Sequence, residues 1–82
     1  RAAEAEALLR LIGAVVERRT DAGWAAVDQL ARGAQTQKDV ARELGISEQA
    51  VSQRLRTAMW SEESAVRPLA VRLLAEAEGA AA

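Results

Sequence analysis

The sequence predicts an all-α domain of about five helices, a core of three short helices with a longer helix on each side. Three observations carry this. Apolar residues recur at steps of three and four, and no segment alternates with the period of two that a half-buried strand needs. Alanine is abundant and β-branched runs are few, which favours helix over strand. Residues that cap or stop helices stand at the ends of the periodic stretches, at Thr20, Gly33, Thr36, Gly45 and Ser47. Neither a sheet nor a β-wing is expected.

Residues 1–20 form a flanking helix from Ala2 to Arg19. Ala5, Leu8, Ile12, Val15 and Arg19 follow helical steps, while Leu9, Val16 and Leu11 widen the apolar surface beyond one face. Such a helix must bury two sides. Gly13 interrupts it at a cost of about 1 kcal/mol relative to alanine, either because a second helix approaches closely or as a tolerated interior glycine. Thr20 or Asp21 caps a second helix over about 22–32, with Trp24, Val27, Leu30 and Ala31 on its inner face and Gly33 as its stop. Trp24 reads as a core residue at this spacing, and Trp60 as core or half-buried against the last helix.

Residues 37–56 hold the most informative stretch. Thr36 and Asp39 occupy N-cap and N3 positions, a capping-box pair with Asp in place of the usual Glu. Val40, Ala41 and Leu44 line the helix that follows. Gly45 stands where that helix ends in the left-handed conformation, Ile46 plugs the corner, and Ser47 caps the next helix, which runs to about Trp60. Val51 and Leu55 are its core stripe, with Met59 one turn further on. Counted from Gln37, a small residue is fifth (Ala41), a glycine ninth, and apolar plugs tenth and fifteenth (Ile46 and Val51). Two steeply crossing helices leave room for only a small side chain at the crossing, and this is the plan of a helix-turn-helix. Residues 61–82 then form a last helix and tail. Ser61 is its expected cap, with Glu62 and Glu63 favoured at its positive end. Pro68 means that this helix either starts near Val66 to Pro68 or starts at Glu62 and kinks; the kinked single helix is preferred. Val66, Ala70, Leu73 and Ala77 are its inner stripe, and the closing alanines are expected to fray.

The run Gly45-Ile46-Ser47-Glu48-Gln49-Ala50-Val51-Ser52-Gln53-Arg54-Leu55-Arg56 resembles the recognition helix of sigma-factor region four and related bacterial regulators. The resemblance to helix-turn-helix regulators covers about Thr36 to Trp60. The Gln49-Ala50-Val51-Ser52-Gln53 segment is also similar to the C-terminal DNA-binding part of SatD-type proteins. These resemblances imply double-stranded DNA as the partner, transcription control in a bacterial cytoplasm as the setting, and a second helix, about 47–59, seated in the major groove.

With Val51 and Leu55 directed to the core, the opposite face carries Glu48, Gln49, Ser52, Gln53 and Arg56, with Ser47 at the helix start. Gln49 or Gln53 suits adenine, and Arg56 suits guanine or a phosphate. Glu48 suits cytosine, or equally favours the helix N-terminus. Gln37, Lys38 and the amides near Thr36 suit phosphate. Arg54 lies to the side, placed for the DNA backbone or for an acidic partner.

Charge opposes this reading. The chain carries a net charge of −1. Between Thr36 and Trp60 four basic residues face three acidic ones. Few released counterions mean weak non-specific affinity, which two linked copies would offset. The first and last helices either form such a homodimer surface or cover each other within one subunit. The alternative function is a protein-interaction or dimerisation module on the same scaffold without DNA.

Other classes fall away. No histidine or cysteine is present, so no thiolate or imidazole metal site is available, and no metal or cofactor is expected. The carboxylates are scattered among bases on helix surfaces and no phosphate-binding glycine loop occurs, so no enzyme is expected. No apolar run approaches the roughly 18 residues that span a membrane. The chain opens on Arg1, and a longer parent protein is expected.

Overall fold

The computed structural model describes residues 2–81, with side chains through residue 79. Among them are five α-helices and no strand: α1 (Ala2–Glu17), α2 (Asp21–Ala31), α3 (Gln37–Leu44), α4 (Glu48–Thr57) and α5 (Trp60–Ala81). The three middle helices pack on one another, and α5 touches α4 at its base before pairing with α1. The described chain extends over 49 × 22 × 14 Å because that pair projects as an arm from the trihelical core.

Small side chains make the core. Ala26 and Val27 from α2, Val40 and Ala41 from α3, and Val51, Leu55 and Ala58 around α4 are buried together. Trp24, Leu30, Leu44, Ile46 and Trp60 are half-buried around them, so both tryptophans close the core at its rim. Ala41 is buried in this cluster, as its spacing predicts. Of the two readings of Gly13 the tolerated interior glycine holds, and a close helix approach is made by Gly23 instead. A Cβ at Gly13 would meet nothing within 4 Å, whereas one at Gly23 would lie 3.4 Å from the Ala58 Cβ. Gly13 is therefore a tolerated interior glycine, and Gly23 sets the spacing of α2 against the end of α4.

The arm is antiparallel. Arg19, just past α1, meets Glu63 in the first turn of α5, while Leu11 and Ile12, further back in α1, share a groove with Val66. Ala5 and Ala70 are buried in the arm. α1 and α5 thus cover much of each other within one subunit, yet Leu9, Leu11, Leu69, Val71 and Leu74 stay exposed on its outer sides.

Two boundaries differ from expectation. The second helix of the helix-turn-helix, α4, stops at Thr57, short of Trp60. Ala58 takes the next core position, and Met59 turns outward with φ +55° and 43% exposure. Reversing the chain between α4 and α5 needs one left-handed residue, and Met59 supplies it where glycine would be usual. Ser61 does not cap α5, which begins one residue earlier at Trp60. α5 continues through Pro68 as a single helix, with Pro68 exposed on its surface.

Candidate nucleic-acid interface

The local chemistry fixes both ends of the helix-turn-helix. The Thr36 hydroxyl accepts from the Asp39 amide at 3.1 Å, and Asp39 Oδ2 accepts from the Thr36 amide at 3.2 Å and the Gln35 amide at 3.3 Å. Asp39 completes the capping box as glutamate commonly does. Hydrogen bonding with Thr36, together with the Gln35 amide and the Arg42 charge, outweighs desolvation and holds the Asp39 carboxyl below the ordinary aspartate range. Arg42 is tied to this carboxylate at 2.6 Å.

At the turn, Gly45 takes φ +68° and ψ +34°, and the Ile46 amide donates to the Ala41 carbonyl at 3.1 Å. A Cβ at Gly45 would meet no neighbour, so its requirement is one of backbone conformation alone. Ser47 then caps α4, its hydroxyl accepting from the Ala50 amide at 3.0 Å.

With Val51, Leu55 and Ala58 buried, α4 turns the other way toward solvent. Glu48, Gln49, Gln53 and Arg56 are exposed, with Ser47 at the start of the helix; Ser52 and Arg54 are half-buried on its flanks. Thr57 is also exposed, one turn beyond Gln53, and extends the same face. The i, i+4 spacing of Gln49, Gln53 and Thr57 is the signal that points to it.

Two shallow grooves border this face. On one flank Gln37 lies with Ser52, Arg56 and Ser61, so the start of α3 and the recognition helix share a surface, with Glu62 at the edge. Arg56 Nη2 reaches the Ser52 hydroxyl at 3.4 Å. On the other flank Gln53, Arg54 and Thr57 lie beside Thr20. Thr20 was singled out only as a cap, a role it fills by accepting from the Gly23 amide at 3.1 Å. Arg54 donates to the Ala22 carbonyl at 3.4 Å, which holds it near the start of α2. Lys38 and Thr36 are exposed at the α3 N-terminus, and Lys38 has no ion-pair partner among the described residues.

The arrangement is a convex polar ridge of amide and hydroxyl groups, flanked by cations at Lys38, Arg54 and Arg56. Side-chain amides of this kind can hydrogen-bond base edges, and guanidinium, ammonium and backbone N–H groups can hold phosphate. No group of histidine, cysteine or carboxylate side chains that could hold a metal ion occurs among the described residues. No helix there is long and apolar enough to cross a membrane.

Residues 27–60 match the family model for Sigma-70, region 4. The match runs from Val27 in α2, through the capped α3 and α4, to Trp60 at the start of α5. No curated protein and no solved structure matches the chain. The trihelical core is a helix-turn-helix DNA-binding domain similar to sigma-factor region four, a regulatory type of domain.

Proposed function

We propose that the chain binds double-stranded DNA sequence-specifically in transcription control, with α4 in the major groove. The observation that carries this is the exposed row Gln49, Gln53 and Arg56 directly opposite the buried Val51 and Leu55. Gln49 and Gln53 are assigned to adenine edges and Arg56 to guanine or an adjacent phosphate. Ser47, Glu48 and Ser52 border the base contacts, with Glu48 either accepting from cytosine or favouring the helix end. Thr36, Gln37 and Lys38 at the start of α3, and Arg54 on the flank of α4, are assigned to the sugar–phosphate backbone. The common groove of Gln37, Ser52 and Arg56 supports this division, since phosphate and base contacts must share one surface.

The low net charge makes one domain a weak binder, so the functional unit is taken to be a homodimer joined through the N- and C-terminal helices. The similarity to sigma-factor region four supports a bacterial cytoplasmic setting. Selection from a random duplex library at low salt tests the reading. An enriched motif is expected, and the Gln53→Ala plus Arg56→Ala variant should lose the discrimination. No enriched motif, together with unchanged binding by the variant, would refute it.

A second reading is favoured by one observation, the exposed leucines and valine on the arm. They suit a protein-interaction module built on the same scaffold. The two readings separate by substitution: binding to DNA should respond to Lys38 and Arg56, and binding to a protein to the arm.

A further inference from the structure

We propose that two copies of this chain associate through one side of the arm, with α1 antiparallel to α1 of the second copy about a two-fold axis at Leu11. The inference rests on the two-copy part of the function above and gives it a surface and a register.

Two features single out this side. The first is shape. Leu11 is 60% exposed although it adjoins half-buried Ile12 and Val15. Beside it those two residues form an apolar groove with Met59 and Val66 at the foot of the arm. Each copy therefore offers both a protruding apolar side chain and an apolar groove next to it, as a self-complementary two-fold contact requires.

The second is charge. Glu4 and Leu11 stand seven residues apart along one line of α1, and Arg18, in the turn just past the helix end, follows Leu11 by seven. Arg18 shares a groove with Leu11 and Met59, which places it on the same side as Leu11. Antiparallel pairing centred on Leu11 sets Glu4 of each copy against Arg18 of the other, at both ends of the contact. Parallel pairing would set like charges together. Both residues are exposed, and neither has an ion-pair partner among the described residues.

The other side of the arm is also apolar, with Val71 63% exposed, but its cation Arg67 is already engaged. Arg67 is bound to Glu63 and stacked on Trp60, and Glu6 is bound to Arg10. It lacks the free, oppositely charged pair that would fix a register.

Sedimentation equilibrium on the 82-residue chain without DNA tests the proposal, so that its failure leaves DNA binding by single copies untouched and a failure of DNA binding leaves the dimer untouched. A dimer is expected. Leu11→Glu should weaken it about tenfold or more with the helical circular-dichroism spectrum unchanged. Glu4→Arg and Arg18→Glu should each weaken it several-fold, the two together should restore it, and Val71→Glu should leave it unaltered. A monomeric wild type, a dimer that survives Leu11→Glu, a double charge reversal no better than the single ones, or dissociation by Val71→Glu would each overturn the proposal.

Discussion

Arg19 and Glu63 meet at 3.1 Å with each side chain only 2% exposed, and this contact joins the arm to the recognition unit. Arg19 Nε also donates to the Ala58 carbonyl at the C-cap of α4, at 3.1 Å, and its guanidinium lies 5.0 Å from the Trp24 ring centroid. Arg67 reaches the same Glu63 carboxylate from one turn along α5, at 2.7 and 2.8 Å. One guanidinium therefore connects the end of α1, the inner face of α2, the end of α4 and the first turn of α5. No buried side-chain polar atom among the described residues is left without a partner.

Removing one member of this pair should cost far more than removing both. Glu63→Ala leaves the Arg19 cation buried beside half-exposed aromatic surface without its carboxylate. A loss of about 3–5 kcal/mol in unfolding free energy is expected. Replacing both by apolar residues, as in Arg19→Met with Glu63→Met, should recover most of that loss, because no uncompensated charge remains. Urea unfolding of the wild type, both single variants and the double variant measures this. A double variant as unstable as Glu63→Ala would contradict it.

The same carboxylate sets an acid limit to stability. Burial disfavours ionised Glu63, but hydrogen bonds and charge from Arg67 and Arg19 outweigh it and hold its pKa below the ordinary value. A depressed folded-state pKa stabilises the fold at pH above the unfolded glutamate value, about 4.3, and that stability is lost as pH falls through the folded value. Asp39 shifts in the same direction through Thr36 and adds to the effect. The urea midpoint should therefore fall as pH drops below about 4.5, and Glu63→Gln should flatten the dependence while lowering the plateau at neutral pH. An unchanged slope in Glu63→Gln would show that other carboxylates carry the acid response.

The capped helices and the turn were legible because their causes are local. Thr36 with Asp39, Gly45 and Ser47 each act within four residues, so spacing alone locates them. The face of α4 was legible for the same reason, since Val51 and Leu55 fix which side is buried. The Arg19–Glu63 contact was not, because it joins residues 44 apart and depends on how the arm packs. In sequence Arg19 simply continues an apolar stripe. Gly23 and Thr20 were missed as neighbours of the recognition helix on the same account. Met59 misled because helical spacing extends the α4 stripe through it, and nothing local announces a left-handed methionine.

Two of the positive-φ positions, Gly45 and Met59, should respond oppositely to substitution. Gly45→Ala introduces no clash, so only the left-handed backbone is penalised, at about 1–2 kcal/mol. Met59 already carries that strain, and glycine there would remove it at the cost of exposed apolar contact. Met59→Gly should therefore be neutral or stabilising by about 1 kcal/mol, measured by thermal unfolding at a fixed concentration. A large loss from Met59→Gly would mean that its contacts at the foot of the arm outweigh the backbone strain.

The division between phosphate and base contacts makes separate predictions for Lys38 and Gln53. Lys38 is free of ion pairs, so Lys38→Ala should weaken binding about equally on every duplex and reduce the slope of log K against log salt by about 1. Gln53 is uncharged and stands at the centre of the exposed face of α4. Gln53→Ala should leave the salt slope unchanged while costing about 1–3 kcal/mol on the preferred sequence only. The measurement is affinity on one selected and one scrambled duplex across a salt series. If Gln53→Ala weakened both duplexes alike, α4 would be touching the backbone and not the bases, and the recognition surface would have to be sought at Gln49 or Arg56.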